Sequence, residues 1–222
     1  MAEQMPFGDV ELATNTEPRC ACVLLLDVSG SMAGQAMVQL NAGIEAYHND
    51  LLGDSLAAQR VELSIITFGG TVQTAVPFTT VDRFIPPHIA ANGETPMGEA
   101  ILRGIDAIAD RKKQYKQYGL HYYRPWLFLI TDGAPTDDWK LAAARVHEGE
   151  AKKAFAFFAV GVEGADFATL KQITVREPLK LKGLSFRELF VWLSQSQKGI
   201  SQSKPGEEHH VAMPPPTGWA NL

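Results

Sequence analysis

The chain has 222 residues, of which 45% are hydrophobic and 20% charged, a composition typical of a folded globular protein. Its 20 Lys and Arg residues against 25 Asp and Glu residues give a net charge of −5, the wrong sign for a protein that binds phosphate backbones, so we expect no nucleic-acid partner. The longest apolar runs fall far short of the roughly 18 residues that a membrane-spanning helix needs, so we expect no membrane role.

The first twenty residues carry acids early and lack a basic segment followed by an apolar one, so they do not read as a secretory signal. We therefore expect a cytoplasmic protein. Cys20 and Cys22 lie two positions apart inside an apolar run. A disulfide between such close neighbours would not cross-link distant parts of the fold, and two cysteines without other Cys or a nearby His pair make a poor zinc site. We therefore predict buried, reduced thiols.

The first half of the chain alternates strand and helix patterns. Residues 20–26 (CACVLLL) form a continuous apolar run that ends at Asp27, which predicts a strand buried on both faces of a parallel sheet. Residues 61–68 predict a second strand, and residues 72–77, beyond the Gly69-Gly70 turn, predict a short antiparallel partner at the edge. Between these strands, apolar residues at spacings of three and four predict an amphipathic helix: Met37, Leu40, Ile44, Tyr47 and Leu51.

The second half continues the alternation. Residues 125–131 (PWLFLIT) predict another buried strand, which ends at Asp132 just as the first ends at Asp27. The segment before it, residues 111–126, is basic and rich in tyrosine; a solvated helix end is the favoured interpretation and a docking patch the alternative. The remaining predictions are helices from Met97 to Ile108 and beyond, at about 138–152, near 166–173 and from residue 185, and strands at 154–162 and 178–181.

Strands that alternate with helices predict a doubly wound, Rossmann-like α/β fold: a mostly parallel sheet with helices on both faces and one antiparallel edge strand. We expect an N-terminal extension at residues 1–17, one domain at residues 18–200 and an extended, proline-containing tail at residues 201–222. Trp219 is the expected anchor of that tail, whether the tail lies back on the domain or presents an extended peptide to a partner.

The polar residues that follow the buried strands are the candidate site. In an open α/β sheet the ligand crevice lies beyond the carboxyl ends of the strands, so Asp27 and Asp132 meet if their strands are neighbours. The pattern D-x-S-x-S also places Ser29 and Ser31 after Asp27, which gives three oxygens of the kind that Mg²⁺ or Mn²⁺ prefers. The alternative is that the serines, and Thr95 in a later loop, only cap the helices that follow them.

The pattern D-x-S-x-S, followed by T-P-M-G at residues 95–98 and L-I-T-D-G at residues 129–133, resembles the metal-ion-dependent adhesion site (MIDAS) of von Willebrand factor type A (VWA) domains. The resemblance covers about residues 18–200 and implies the VWA fold. It also implies Mg²⁺ as the ion, with Mn²⁺ and Ca²⁺ as alternatives. By this resemblance the metal shell would comprise Asp27, Ser29, Ser31, Thr95 and Asp132. The two serines and, in some states, the threonine would be direct ligands of the ion. One or both carboxylates would act through water.

Longer stretches are similar to the bacterial cytoplasmic TerY-like proteins associated with tellurium resistance: YYRPWLFLITDGAPTDDW, FFAVGV, LKLKGLSFRELFVWLSQS and PPPTGWANL. Such proteins tend to be encoded with a protein kinase and a metal-dependent protein phosphatase of the PP2C type. The resemblance therefore implies a place in a kinase- and phosphatase-linked assembly. Many members carry a second glycine where this chain has Glu94, a side chain that we expect to face solvent.

The charge balance of the candidate site favours binding over catalysis. A divalent cation offsets Asp27 and Asp132, and the hydroxyls are neutral, so an Asp or Glu of a partner protein can complete the octahedron. The sequence thus predicts a non-catalytic, Mg²⁺-dependent protein-interaction module. A hydrolase or phosphatase is a weaker alternative, because no G-x-S-x-G surrounds Ser29 and position 29 lacks the second carboxylate of an aspartyl-phosphate site. A structural subunit with a purely stabilising metal is the third possibility.

Overall fold

The computed structural model describes residues 12–206 and 213–221. Most of the predicted N-terminal extension (residues 1–11) and part of the predicted tail (residues 207–212 and 222) lie outside the described residues. The strands are β1 (Cys20–Asp27), β2 (Val61–Gly69), β3 (Thr71–Thr80), β4 (Trp126–Thr131), β5 (Ala156–Gly161), β6 (Leu179–Leu181) and β7 (Ala220–Asn221). The helices are α1 (Gln35–Leu52), α2 (Ser55–Arg60), α3 (Met97–Gln117), α4 (Lys140–Ala151), α5 (Phe167–Ile173) and α6 (Phe186–Ser201).

The strands form one sheet in the order β3-β2-β1-β4-β5-β6-β7. Strands β2, β1, β4, β5 and β6 run parallel, and β3 pairs antiparallel with β2 at one edge. The predicted fold class is confirmed, although β3 is longer than the predicted residues 72–77. A second antiparallel strand, the two-residue β7, lies on β6 at the opposite edge and was not predicted.

Alternate side chains of β1 face two different helical layers, as the period of a strand requires. Leu24 and Leu26 pack in a cluster with α1 and α6, whereas Val23 and Leu25 pack in a cluster with α3, α4 and α5. All eight residues of β1 are buried. The continuous apolar run therefore reflects a central strand that is covered on both faces. Cys20 and Cys22 are buried and form no disulfide, as predicted.

The sheet reverses its strand order between β1 and β4. Leu26 of β1 pairs in parallel with Ile130 of β4, and β2 pairs with the other side of β1. The chain thus builds outward from β1 in one direction and from β4 in the other. Because both strands run the same way, Asp27 and Asp132 lie at the same edge of the sheet, at the point where ligands bind in such folds.

The tail folds back onto the domain. Trp219 is 2% exposed, and its ring centroid lies 5.2 Å from that of Trp192 on α6. Trp192 Nε1 donates a 2.6 Å hydrogen bond to the carbonyl of Pro214, and Ala220 pairs with Leu181 of β6. Of the two arrangements considered for the tail, the structure shows the one in which Trp219 anchors it to the domain.

Arg111 and Tyr115 of the basic segment 111–126 are buried, so the interpretation of that segment as a solvated helix end is wrong for them. The Glu62 carboxylate is fully buried and accepts hydrogen bonds from Arg111 Nε at 2.7 Å and Arg19 Nε at 2.8 Å. Tyr115 also donates its hydroxyl to Glu62. These residues are 43 to 53 positions from Glu62, so local charge pattern gives no sign of the pairing. Lys113 and Lys116 of the same helix are exposed.

Candidate metal centre

Asp27 ends β1 and is held in place by two hydrogen bonds. Its Oδ1 accepts from the backbone N–H of Ser29 at 2.8 Å, and its Oδ2 accepts from Thr131 Oγ1 at 2.6 Å. The first bond closes the tight turn after the strand, and the second joins the ends of β1 and β4. Asp27 is fully buried, so its carboxylate has one fixed orientation towards the loop.

Ser29, Ser31 and Asp132 continue this network towards the surface. The Oγ atoms of Ser29 and Ser31 lie 3.0 Å apart, and Ser31 donates a 2.7 Å hydrogen bond to Asp132 Oδ1. Ser29 is buried and Ser31 is exposed, so the cluster opens to solvent on the side of Ser31. Residues from two loops, 101 positions apart in sequence, are thereby brought into contact.

Thr95 is placed beside this cluster by the loop after β4. A Cβ atom added to Gly133 would lie 3.5 Å from Thr95 Oγ1, so the threonine hydroxyl is adjacent to the residue that follows Asp132. The backbone N–H of Thr95 donates to Thr136 Oγ1 at 3.2 Å, and the N–H of Thr136 donates to the Thr95 carbonyl at 3.0 Å. The structure thus joins four of the predicted residues by hydrogen bonds and sets Thr95 next to them.

Asp137 fixes the start of α3, immediately after Thr95. Its two carboxylate oxygens accept from the backbone N–H groups of Gly98 at 2.9 Å and Glu99 at 2.7 Å, which otherwise have no partner in the first turn of a helix. Asp137, like Thr131 and Thr136, was not among the predicted site residues. The one available signal was the run of short polar residues after β4, TDGAPTDD, which shows a polar loop but not its contacts.

A second contact holds the Thr95 loop against the β2–β3 hairpin. Gly93 has φ +73°, and a Cβ atom on it would lie 2.5 Å from the backbone of Gly70. Gly70 donates its N–H to the carbonyl of Glu94 at 2.8 Å, and Gly30 donates to the carbonyl of Gly93 at 2.9 Å. Three loops therefore meet through backbone atoms. The Glu94 side chain is exposed, as expected.

Asp27 and Asp132 are two buried acids that lie close together without a cationic side chain beside them in the described part of the chain. Burial raises the pKa of Asp27, against the hydrogen bonds from Ser29 and Thr131, and the nearby charge of Asp132 raises it further. Burial also raises the pKa of Asp132, partly offset by the hydrogen bond from Ser31. Within the described residues, neither acid forms an ion pair with Lys, Arg or His. Burial of unpaired carboxylates is costly, and a bound cation would offset that cost.

The donor set fits a hard divalent cation. Its members offer two carboxylates and three hydroxyls, all of them oxygen donors, which suit Mg²⁺ and Mn²⁺ better than a soft metal. In residues 12–206 and 213–221, no three His, Cys, Asp or Glu side chains gather into a cluster. The candidate centre is therefore distinguished by neutral hydroxyls around a pair of carboxylates rather than by a high density of charge.

Comparison with known proteins identifies the family and the fold. A model of the von Willebrand factor type A domain matches residues 22–186. Proximal thread matrix protein 1 from the mussel byssus is 16% identical with a TM-score of 0.56, over 83% of this chain and 49% of that one. Another of its structures has a zinc-occupied MIDAS motif. The pilus adhesin SpaC from Lactobacillus rhamnosus GG is 14% identical with a TM-score of 0.66, over 85% of this chain and 31% of that one.

Manganese-loaded TRAP protein from Plasmodium vivax is also similar, with 17% identity and a TM-score of 0.52 over 78% of this chain and 73% of that one. At these identities the likeness establishes the fold alone. The chain spans about half the length of the mussel protein, and no curated protein matches it. None of the helices in the described part of the chain has the length and hydropathy that a bilayer crossing requires.

Proposed function

The chain belongs to the von Willebrand factor type A domain family, and from that premise we propose that it is a non-catalytic module that binds an acidic residue of a partner protein through a divalent cation. The observation that carries the proposal is the network that joins Asp27, Ser29, Ser31 and Asp132 at the switch point of the sheet. This network contains two buried carboxylates and, among the described residues, no cationic side chain to neutralise them.

The proposed metal shell comprises Asp27, Ser29, Ser31, Thr95 and Asp132. A bound cation would supply a site of attraction for an incoming carboxylate oxygen. Asp27 and Asp132 together offset the two positive charges of the ion, and the hydroxyls of Ser29, Ser31 and Thr95 add oxygen atoms without adding charge. An Asp or Glu of a partner then approaches a site whose net charge is near zero, which avoids repulsion between like charges.

We propose Mg²⁺ as the ion. The shell contains only oxygen donors, and Mg²⁺ usually keeps several water molecules, which leaves positions open for exchange with a partner carboxylate. The manganese of TRAP and the zinc in the mussel protein support the use of a divalent cation on this fold. Mn²⁺ and Ca²⁺ are the alternatives that a binding series distinguishes.

The cellular setting that we propose is a bacterial, cytoplasmic assembly linked to a protein kinase and a PP2C-type phosphatase. Its support is the similarity of residues 122–139 and 179–196 to TerY-like proteins associated with tellurium resistance. In such an assembly one of the two enzymes would donate the acidic residue. The exposed position of Ser31 leaves that face of the metal shell accessible to a partner protein.

The test of the metal site is calorimetric titration of the full chain with Mg²⁺. We expect wild type to bind the ion and to melt at a higher temperature with it, since ligand at a hundredfold excess over Kd stabilises by about 2.7 kcal/mol. Asp27→Asn should abolish both effects. Asp110→Asn, on the exposed surface of α3, is the matched control and should retain them. Equal binding by the two variants would contradict the proposed shell.

The test of function is retention of candidate kinase and phosphatase partners by the immobilised chain, with Mg²⁺ and with chelator. We expect retention only with Mg²⁺, and its loss in Asp27→Asn. Partner binding that survives both treatments would show that the metal does not hold the partner. Turnover of a phosphoester panel that disappears in Ser29→Ala would instead establish a phosphatase, and a metal that stabilises the fold without affecting retention would establish a purely structural ion.

A further inference from the structure

A cavity of about 870 Å³ lies at the end of the sheet opposite the candidate metal centre. Its wall includes Trp126 and Ala156, the first residues of β4 and β5, whereas Asp132 follows the last residue of β4. Six residues of an extended strand cover about 20 Å, so the two regions are well separated. We call this space the basic cavity, after its lining residues Lys112, Arg124, Lys153 and Arg176.

The four cations of the basic cavity come from four separate segments of the chain. Lys112 lies on α3, Lys153 follows α4, and the two arginines precede β4 and β6. Lys112 Nζ donates a 3.2 Å hydrogen bond to the carbonyl of Ala154, which brings the α3 lysine next to the segment that carries Lys153. The convergence is therefore a product of the tertiary fold rather than of a charged run in sequence.

The buried carboxylate of Glu150 partly balances these charges. Glu150 is buried, and it accepts from Arg124 Nη2 at 2.7 Å and from Arg176 Nε at 2.9 Å. Its Oε1 also accepts from the backbone N–H of Phe157 at 2.7 Å, so it orients both guanidinium groups as a fixed unit. Within the described part of the chain, Lys112, Lys153 and Arg176 outnumber this acid, although the net charge of the chain is −5. No Asp or Glu is among the described residues that line the cavity.

The rest of the cavity wall is apolar, and the volume of the cavity is larger than an inorganic anion needs. Tyr122 and Trp126 contribute rings, and Ile200 and Met213 contribute aliphatic surface. The volume lies within the range of about 300–1,000 Å³ that is typical of pockets for small organic ligands. Burial lowers the pKa of Lys112, and the charge of Lys116 lowers it further, an effect that a bound anion would oppose.

We propose that the basic cavity binds a nucleoside polyphosphate, with its phosphates between Lys112, Lys153 and Arg176 and its nucleoside against the apolar wall. Lysine ammonium groups and arginine guanidinium groups are both effective phosphate ligands, and a polyanion matches the excess positive charge. The rings and aliphatic groups account for an organic body beyond the phosphates. This site is independent of the proposed metal centre, because none of its residues belongs to the metal shell.

The test is calorimetric titration of the full chain with ATP in the presence of chelator, so that no metal-bound nucleotide forms. We expect saturable binding by wild type, weakened at least about tenfold in the double variant Lys112→Gln and Lys153→Gln, as loss of charge-assisted hydrogen bonds predicts. The matched control is Lys113→Gln with Lys152→Gln. These neighbours lie on the same two segments but do not line the cavity, and they pair with Asp110 and Glu148.

The control pair should bind ATP within about twofold of wild type, since exposed charges outside the cavity contribute little. Lys153→Gln alone leaves the Lys112 bond to Ala154 intact and should give an intermediate loss, which guards against a folding defect in the double variant. Absence of ATP binding by wild type, or equal losses in the two double variants, would overturn the proposal. Tripolyphosphate and adenosine should each bind more weakly than ATP; tripolyphosphate binding as tight as that of ATP would overturn the nucleoside assignment.

Discussion

Ser29 and Ser31 bring oxygen atoms to the Asp27–Asp132 pair without adding charge. Ser31 is the more accessible of the two and already donates to Asp132 Oδ1 at 2.7 Å. A carboxylate at position 31 would add a third negative charge beside two acids whose pKa values burial already raises. A negative charge at position 31 would therefore strengthen the attraction for a cation and weaken the attraction for the carboxylate of a partner.

We predict that Ser31→Asp binds Mg²⁺ more tightly than wild type, retains an acidic partner less well, and melts at a lower temperature without metal. Ser31→Asn is the control, because it has nearly the same shape as Asp and no charge. Calorimetry with Mg²⁺ and metal-free melting curves measure the first and third effects. Equal Mg²⁺ affinity in the two variants would show that charge at position 31 does not act on the ion.

The residues of the candidate site were predictable to the extent that their signals are local. Asp27, Ser29 and Ser31 lie within one turn after a buried strand, so pattern and strand polarity suffice to place them together. Thr136 and Asp137 act on residues about 40 positions away, through backbone N–H groups that leave no trace in sequence. Such contacts depend on how the loop after β4 folds over α3, which no periodicity encodes.

At the scale of elements, the β2–β3 hairpin and the Thr95 loop are held together by a close contact between their backbones. We predict that Gly93→Ala destabilises the protein by more than about 2 kcal/mol and weakens Mg²⁺ binding, because the added Cβ would lie 2.5 Å from Gly70 and the residue has φ +73°. Gly119→Ala is the matched control: Gly119 has φ +66°, but its Cβ would contact nothing within 4 Å. It should cost only about 1–2 kcal/mol and leave Mg²⁺ affinity unchanged.

Denaturant unfolding and calorimetry of the two glycine variants separate backbone strain from steric displacement. Equal losses of stability and equal Mg²⁺ affinities would mean that the hairpin contact does not position Thr95. A selective loss in Gly93→Ala would show that an edge hairpin, outside the metal shell, sets the geometry of one of its members.

Helices α1 and α6 are joined by an ionic contact whose effect depends on pH. Burial tends to raise the pKa of Asp50, but the hydrogen bonds from Lys198 at 2.8 Å and from Ser194, with the charge of Lys198, lower it below 3.8 overall. An acid with a lowered pKa in the folded state stabilises the protein above its unfolded pKa, and that stabilisation is lost as pH falls through the folded pKa.

We therefore predict that Asp50→Asn is less stable than wild type at neutral pH, by under about 1 kcal/mol because the pair is partly exposed. The difference should shrink as pH falls below about 4, where the Asp50 carboxyl of the unfolded chain becomes protonated, and it should be lost once pH falls through the lowered pKa of the folded state. Melting temperatures from neutral to acid pH measure it. Glu45→Gln, at an exposed position of the same helix, is the control. A difference between Asp50→Asn and wild type that is constant with pH would exclude an ionic origin.

Elements were more predictable than the polar contacts between them. The apolar runs of β1 and β4 and the spacing of α1 are strong local signals, and they gave the sheet and its switch point. Arg111 and Tyr115 were assigned to a solvated face because charge and hydroxyl groups are usually exposed. They are buried because Glu62, on a distant strand, accepts hydrogen bonds from both. The short β7 forms only because the tail returns to β6, a long-range event.

At the scale of the whole molecule, the two ends of the sheet have opposite electrostatic character. The carboxyl ends of β1 and β4 carry buried acids, and the amino ends of β4 and β5 border the basic cavity. A cation and a polyanion would thus bind at opposite ends of the sheet. Salt would screen most of the electrostatic interaction between them, since their separation of about 20 Å exceeds the Debye length of about 8 Å at physiological ionic strength. Partner binding and nucleotide binding are therefore expected to be separable by mutation.

The tail completes the edge of the sheet far from the metal shell, and the side chain of Trp219 contributes to it by packing alone. Trp219 is almost fully buried against Trp192, yet Trp219 Nε1 has no hydrogen-bond partner within the described part of the chain. Replacing the ring by a methyl group leaves a cavity, whereas replacing it by another ring removes the unpartnered N–H and keeps most of the contact area.

We predict that Trp219→Ala destabilises the protein by about 3–5 kcal/mol and that Trp219→Phe costs less than about 1.5 kcal/mol. Both variants should bind Mg²⁺ as wild type does, because β4, β5 and β6 separate β7 from β1. Denaturant unfolding and Mg²⁺ titration measure the two properties. If Trp219→Ala were as stable as Trp219→Phe, the tail would be a dispensable appendage. If Trp219→Ala bound Mg²⁺ more weakly than wild type under conditions in which the variant is fully folded, the far edge of the sheet would be coupled to the metal shell.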